Sequence, residues 1–326
     1  MKKPNAISQA PTRSRRYWMA LLLGALSAFG PLSIDMYLPS LPTLTSDLHT
    51  SASLAQLSLT ACLLGLALGQ LFVGPFSDVR GRRKPLIAGL IVYIVVSLLC
   101  AVTPSIWALI GLRFIQGIAG ACGIVISRAM VRDLYSGSEL TKFFSLLMLV
   151  NGAAPILAPI AGGQLLRVTS WHGVFIVLCV IGVLMLLAVM FGLPETLSNE
   201  RRSTGDIKET LSTFRNLIGD RVFMGYALAQ GLVMAAMFGY ISGSPFVLQN
   251  IFGVSPQMFS VIFAANGLGI IIATQTTGRL AGRIREIKLL VTGLVLVAFG
   301  SLTLLVAILA GAGLPAVLPP LFIVVA

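Results

Sequence analysis

The stretch Gly74-Pro75-Phe76-Ser77-Asp78-Val79-Arg80-Gly81-Arg82-Arg83-Lys84 decides how the rest of the chain is read. It is a charged, glycine-bounded segment between two long apolar runs, one ending near Phe76 and one starting at Pro85. Four of its eleven residues are basic, in a chain of which only 10% of residues are charged. A turn of this kind between two hydrophobic spans belongs on the cytoplasmic side of a membrane bundle, where basic connections collect.

The surroundings agree. The 326 residues are 56% hydrophobic, with a mean hydropathy of +0.94. A soluble domain would lack the polar residues to cover its surface. Apolar runs of about 20 residues, enough to cross roughly 30 Å of hydrocarbon, recur along the chain. They place spans at roughly 17–39, 54–76, 86–103, 107–128, 143–165, 172–194, 222–249, 257–277 and 289–311. The runs are continuous and lack period-two alternation, which excludes an outer-membrane barrel. The expected class is an all-α polytopic membrane protein.

Charge distribution sets the topology. The net charge is +12, and 21 of the 23 Lys and Arg residues fall in alternate connections or the N-terminal tail, the exceptions being Arg113 and Arg167. That is the positive-inside pattern, with the N-terminus cytoplasmic and anionic lipid as the partner of the basic loops. It argues against nucleic acid as the partner. The four cysteines, Cys62, Cys100, Cys122 and Cys179, lie inside spans without a CxxC or a histidine cluster. No metal or cofactor is expected. The first apolar run is too long for a secretory leader and reads as an uncleaved span.

The domains follow: a cytoplasmic tail (1–16), a first bundle of six helices (17–194), a cytoplasmic linker (195–221) and a partial second bundle (222–326). A weak repeat, Gly278-Arg279-Leu280-Ala281-Gly282-Arg283, occupies the place in the second block that Gly74–Arg83 holds in the first. It sets Gly282 opposite Asp78, and two pseudo-symmetric bundles are a common transporter plan. The chain stops at Ala326, about eleven residues into a tenth apolar run. Half a span is a poor end in lipid, so a fragment or a gene cut short is expected.

Two ionisable residues sit well inside spans, Asp35 and Arg113. Each costs at least ~2.5 kcal/mol to insert and usually faces a cavity or a partner. Asp35 is about four residues from the outer end of its expected span and Arg113 about six, depths that agree within roughly 3 Å. A shared outward-leaning cavity is therefore expected, in which desolvation and the arginine pull the carboxyl's affinity for protons in opposite directions. The alternative is an interfacial Asp35 that merely helps Tyr37 and Pro39 end the helix. Tyr37, Gln116, Asn151 and Asn266 are candidates to line the cavity, or to bond between helices. Pro31 bends the first span, and Pro155 and Pro159, four apart on one face of the fifth, concentrate a kink there. Gly162 and Gly163 behind them serve a bend or close packing.

At these residues the sequence resembles the major facilitator superfamily. Gly74-x-x-x-Asp78-x-x-Gly81-Arg82-Arg83 is similar to its signature between the second and third helices. Leu112-Arg113-x-x-Gln116-Gly117 resembles the fourth-helix motif of proton-coupled members. Ala154-x-x-x-Ala158-Pro159-x-x-Gly162-Gly163 resembles the fifth-helix antiporter motif, with alanine at both leading glycine positions. Leu193-Pro194-Glu195-Thr196 is also common at the end of the sixth helix. Asp35-Met36-Tyr37-Leu38-Pro39 and Ser244-Pro245-Phe246-Val247 are similar to the Bcr/CflA group of bacterial drug exporters.

The resemblance implies a twelve-helix, monomeric proton/drug antiporter of the bacterial inner membrane, with the second bundle incomplete here. In it Asp35 is the first-helix acid coupled to protons and substrate, and Arg113 tunes it. Asp78, Gly74, Gly81, Arg82 and Arg83 form a cytoplasmic latch, with Arg128 or Arg132 as the partner of Asp78 within the bundle. A proton-coupled metabolite or amino-acid transporter is the alternative, and a non-transporting remnant a third reading. No H-E-x-x-H, G-x-S-x-G or acidic pair within a span points to an enzyme.

Overall fold

The computed structural model describes residues 13–203 and 207–326; residues 1–12 of the expected tail and 204–206 of the expected linker lie outside the described residues. Backbone groups in hydrocarbon must be satisfied within their own segment, and the apolar runs accordingly fold as helices. In chain order these are α1 (Arg13–Ser27), α2 (Phe29–Asp35), a 3-10 turn (Leu38–Ser40), α3 (Leu41–Asp47), α4 (Ala52–Arg80), α5 (Arg83–Val102), α6 (Ile106–Leu134), α7 (Gly137–Leu165) and α8 (Trp171–Gly192). Then come a 3-10 turn (Asn199–Arg201), α9 (Ile207–Gly219), α10 (Arg221–Phe246), a π turn (Val247–Ile251), α11 (Pro256–Leu280), α12 (Glu286–Leu309) and α13 (Leu314–Val325).

Among the described residues, eight helices are long and apolar enough to cross a membrane, and the path from Trp18 to Asp47, bent by 42°, makes a ninth. The bend falls at Ala28. Pro31 has no N–H for the carbonyl of Ser27 and its ring crowds that group, so the helix breaks there. The expected end of this span at residue 39 is corrected: the helical path continues to Asp47. Pro39 and Pro42 stand in the first turn of their helices, where a missing N–H costs nothing, and so start helices instead of ending one. The extension is docked by the Trp171 indole, whose Nε1 donates to Asp47 Oδ2 at 3.0 Å.

The helices also overrun the apolar stretches at the charged joints. Of the segment from Gly74 to Lys84, only Gly81 and Arg82 lie outside helix, because α4 runs through Arg80 and α5 starts at Arg83. Hydrophobicity marks the lipid slab, whereas Arg and Lys are good helix formers and carry the helices beyond it. Gly81 makes the joint at φ +86°, a left-handed conformation in which a side chain would be strained. Gly282 repeats that conformation at φ +81°, two residues after the end of α11. This moves the register of the repeat: aligned on helix ends (280 − 80 = 200) or glycines (282 − 81 = 201), the counterpart of Asp78 is Gly278 or Arg279, not Gly282.

In the first half, α4 packs on α6, and α5 fills the angle between α6 and α8. Gly117 of α6 lets the helices meet backbone to backbone, since a Cβ there would overlap the carbonyl of Cys62. In the second half, α13 lies on α12 and α11. The halves meet along α7 and α11, which run antiparallel.

Candidate functional site

A cavity of about 260 Å³ lies between the halves. Its wall is drawn from α2 (Gly30, Pro31, Ile34, Asp35), α4 (Leu63, Leu66), α6 (Ile124) and α7 (Pro155) on one side. The other side comes from α10 (Met237, Phe238, Tyr240, Ile241), α11 (Phe263, Asn266, Gly267, Ile270) and Val325. One carboxylate, Asp35, stands on this mostly apolar wall, where it is 6% exposed. Among the described residues no basic group pairs with it. On the second half, Asn266 Nδ2 donates to the Tyr240 hydroxyl at 2.6 Å, and the Tyr240 ring stacks on Phe263 with centroids 5.8 Å apart. These two residues carry most of the polarity opposite Asp35.

Arg113 is elsewhere. It is fully buried inside the first half and absent from the cavity wall. Its Nη2 donates to the Ser33 carbonyl at 2.8 Å and its Nη1 to Gln116 Oε1 at 2.5 Å. Gln116 Nε2 passes the chain on to Ser97 Oγ at 2.7 Å, and Ser33 Oγ bonds the Tyr93 hydroxyl at 2.6 Å. The guanidinium lies over Tyr37 and Phe175, at 5.0 and 5.6 Å from the ring centroids, which suits a weakly hydrated cation.

The expected cavity shared by Asp35 and Arg113 is therefore corrected. Ser33 and Asp35 are two residues apart, about 200° around a helix, so they serve opposite faces of α2. The matched-depth argument fails for a second reason. The helical path continues twelve residues beyond Asp35 (47 − 35), while Arg113 is seven from the start of α6 (113 − 106).

Of the four residues expected on the cavity wall, Asn266 lies there and Tyr37, Gln116 and Asn151 do not. Tyr37 is enclosed with Arg113 and reaches Ser58 Oγ at 3.3 Å. Gln116 belongs to the Arg113 chain, and Asn151 bonds Ser27 Oγ at 3.1 Å and the Leu147 carbonyl at 2.8 Å. In each case the side chain finds its partner on a neighbouring helix or one turn back, as buried polar groups must. Tyr240, Met237 and Phe263 were missed, because α10 and α11 are apolar on several faces and show no phase that marks the side turned inward.

The proline-glycine segment of α7 forms one unbroken helix from Gly137 to Leu165, and the contacts at its end are close packing. Pro155 lines the cavity and Pro159 is buried. A Cβ on Gly162 would overlap the carbonyl of Met36, and one on Gly163 would overlap Ser260 Oγ and stand 3.0 Å from the Pro256 carbonyl. The two glycines are adjacent, yet one receives the first span and the other receives α11.

The charged joint closes on itself. Arg82 Nη1 pairs with Asp78 Oδ1 at 2.5 Å, and Arg82 Nε with Asp133 Oδ2 at 2.9 Å. Burial disfavours the Arg82 charge, but hydrogen bonds to Asp133 and Asp78 outweigh it and raise its pKa. The expected partners Arg128 and Arg132 are corrected to Arg82. The exposed Arg132 forms no described ion pair with Asp78, and Arg128 keeps a buried Nε without a hydrogen bond. Gly74 only passes Val125 of α6, where a Cβ would make ordinary contact at 3.8 Å. Arg83 Nη2 donates to the Met190 carbonyl at 2.5 Å.

Glu195, just beyond α8, accepts the backbone N–H groups of Arg82 (2.9 Å), Thr196 (3.0 Å) and Leu197 (3.1 Å) on Oε1 and of Arg83 (3.1 Å) on Oε2. Burial pushes this carboxyl up, and the four donors together more than reverse that, leaving it below the usual glutamate range. The signal was in the sequence, in Leu193-Pro194-Glu195-Thr196, but nothing local tells that its target is the start of α5.

The Major Facilitator Superfamily model matches residues 21–326. The chain is 50% identical over 282 residues to the uncharacterized MFS-type transporter YdgK of Bacillus subtilis, covering 86% of this chain and 70% of that protein. It is 34% identical over 264 residues to a bicyclomycin resistance protein homolog of Haemophilus influenzae, covering 81% and 66%. The chain thus spans about two thirds of the length of these relatives. The fold matches the partially occluded, inward-open xylose transporter XylE from E. coli with a TM-score of 0.74 at 15% identity, over 96% of this chain and 81% of that one. A helical chain with eight or nine apolar spans among its described residues and a cavity between its halves, it belongs to the Major Facilitator Superfamily, a family of membrane transporters rather than enzymes.

Proposed function

We propose that the protein is a proton-coupled exporter of small amphipathic drugs, of the Bcr/CflA type, working by alternating access. The observation that carries this is the single carboxylate, Asp35, on an apolar wall between the two halves. An ionised carboxylate there is poorly solvated and is relieved either by a proton or by a cationic substrate, but not by both at once. Competition for one site is the simplest route to exchange. The apolar remainder of the wall suits a lipophilic body, and the Asn266–Tyr240 pair offers hydrogen bonds to it. The bicyclomycin-resistance name of the 34% identical relative supports the same substrate class.

Arg113 in this reading is a positioning residue. Its bond to the Ser33 carbonyl fixes the helix that carries Asp35. The basic joints lie on the cytoplasmic side of a bacterial inner membrane by the positive-inside rule, with the N-terminus on that side and anionic lipid against the loops. The Asp78–Arg82–Asp133 network is a latch base on that side. Residues 17–194 and 222–326 are taken as the two bundles, joined by 195–221, in a monomer.

Asp35→Asn tests the reading. In inverted vesicles carrying a pH-sensitive dye, drug addition is expected to release protons with the parent protein and to give only background with the variant. Parental rates in Asp35→Asn would overturn the carrier role. Proton release on adding sugars or amino acids, but not drugs, would point to a metabolite transporter.

A further inference from the structure

On the face opposite the charged joint, three hydrogen bonds between described residues cross from one half to the other, and a glutamine makes each of them. Gln56 Nε2, near the start of α4, donates to the Ser242 carbonyl near the end of α10 at 3.1 Å. Gln249 Nε2, in the π turn, donates to the Pro39 carbonyl at 3.1 Å. Gln257 Nε2, at the start of α11, donates to the Gly163 carbonyl at 2.8 Å. One donor belongs to the first half and two to the second, so the contact is reciprocal.

Two of the three acceptors are placed to need a partner. Gly163 is in the last turn of α7, where carbonyls have no intrahelical donor. Leu166 N–H turns back to Gly162 and Arg167 N–H to Gln164, which leaves Gly163 to Gln257. Pro39 lies in the 3-10 turn that joins two helices, while the Ser242 carbonyl, inside α10, takes Gln56 through its second lone pair. Two helix ends of the first half are thus satisfied by glutamines of the second.

We infer that Gln56, Gln249 and Gln257 form a clasp that holds the two halves closed on this face and that opens once in each transport cycle. The inference rests on the alternating-access reading but not on which substrate or ion is carried. Neutral amides suit the task. When the halves part, each amide and each carbonyl exchanges its partner for water, so no charge is stranded and the net bias per bond is small. A typical neutral bond favours the closed arrangement by about fivefold. Three independent ones favour it by on the order of a hundredfold, enough to hold a state yet within reach of a ligand's differential affinity. The clasp has no ionisable member, so its strength is expected to be independent of salt and of pH between about 5 and 8.

The test is a distance measurement across that rim in the full chain, in lipid nanodiscs. Spin labels are placed at Ser53→Cys and Asn250→Cys, with the four native cysteines replaced by alanine. The parent is expected to give one short distance. Gln56→Leu, Gln249→Leu and Gln257→Leu are each expected to raise the longer-distance fraction relative to the short one by about fivefold, and the triple variant to raise it further. Gln70→Leu, on an exposed face of α4, leaves it unchanged. Deuterium exchange of residues 38–46 and 247–255, with native cysteines present, reads the same opening without labels. If both measurements are the same in the single variants as in the parent, the clasp is overturned, whether or not the triple variant folds. Loss of drug-driven proton release with an intact clasp would instead count against the exporter reading alone.

Discussion

Helix α2 turns its two sides to opposite surroundings. One side meets Arg113, fully buried, held by the Ser33 carbonyl, Gln116 and two aromatic rings. The other side ends at Asp35, on the wall of the cavity between the halves. The contrast follows the chemistry of the two groups. A guanidinium can be enclosed where its two Nη groups find acceptors, as those of Arg113 do, while its buried Nε has no described partner. A carboxyl that is to change its state needs a route for protons and ligands. The guanidinium is locked away inside one half, and the carboxyl lines the cavity between the two.

That division predicts opposite phenotypes for the two charges. Asp35→Asn is expected to reduce export to background while the thermal unfolding midpoint stays near that of the parent, because among the described residues no side-chain hydrogen bond or ion pair is made by Asp35. Arg113→Lys keeps the charge but cannot reach Ser33 and Gln116 together, and it leaves a buried acceptor bare. The expected cost is about 1–3 kcal/mol, read as a fall in the unfolding midpoint in detergent, with export reduced through displacement of α2. An Arg113→Lys protein as stable as the parent, or an Asp35→Asn protein that unfolds early, would erase the distinction.

The sequence carried the architecture well and the pairing poorly. Span number followed from runs of apolar residues, a property of single segments. Helix ends did not, because Arg80 and Arg83 continue helices past the lipid slab and Pro39 and Pro42 start helices instead of ending one. Asp35 and Arg113 were legible as expensive residues in spans, and Asn266 as a wall residue. Their partners were not. Which side of α2 each charge addresses depends on the rotation of one helix against its neighbours, and an apolar helix carries no polar stripe to report it. The same holds for Asp78: its partner is four residues away in its own joint, while a more distant arginine had been expected.

The adjacent glycines of α7 offer a smaller test of the same contrast between the interior of one half and the interface between two. Gly162→Ala sets a methyl against the Met36 carbonyl, and neither backbone can give way easily. Gly163→Ala sets one against Ser260 Oγ, which can rotate, and the Pro256 carbonyl. Overpacking of this kind typically costs about 1–3 kcal/mol. Gly162→Ala is expected to lie in that range and to lower the unfolding midpoint. Gly163→Ala is expected to lower it less and to speed deuterium exchange at the start of α11, where the halves are pushed apart. Equal effects of the two on both measurements would show that the helix does not divide its contacts as described.

The smallest expected effect concerns Glu195, on the charged side, an exposed carboxylate held by backbone N–H groups. Its carboxylate is held below its ordinary pKa by the backbone donors of the α4–α5 joint. A depressed pKa means a contribution to stability that is present above the unfolded value, about 4.3 for glutamate, and lost as pH falls through the lower folded value. Glu195→Gln removes the charge and turns an amide N–H₂ toward donors that wanted an acceptor. The difference in unfolding midpoint between parent and variant should therefore be modest at pH 7, constant down to about pH 5, and shrink toward zero below pH 4. Because Asp78 and Asp133 remain in both proteins, subtracting one curve from the other isolates Glu195. A difference that grew on acidification would mean that the carboxyl is held in its protonated form, and that the joint is tied by something other than its charge.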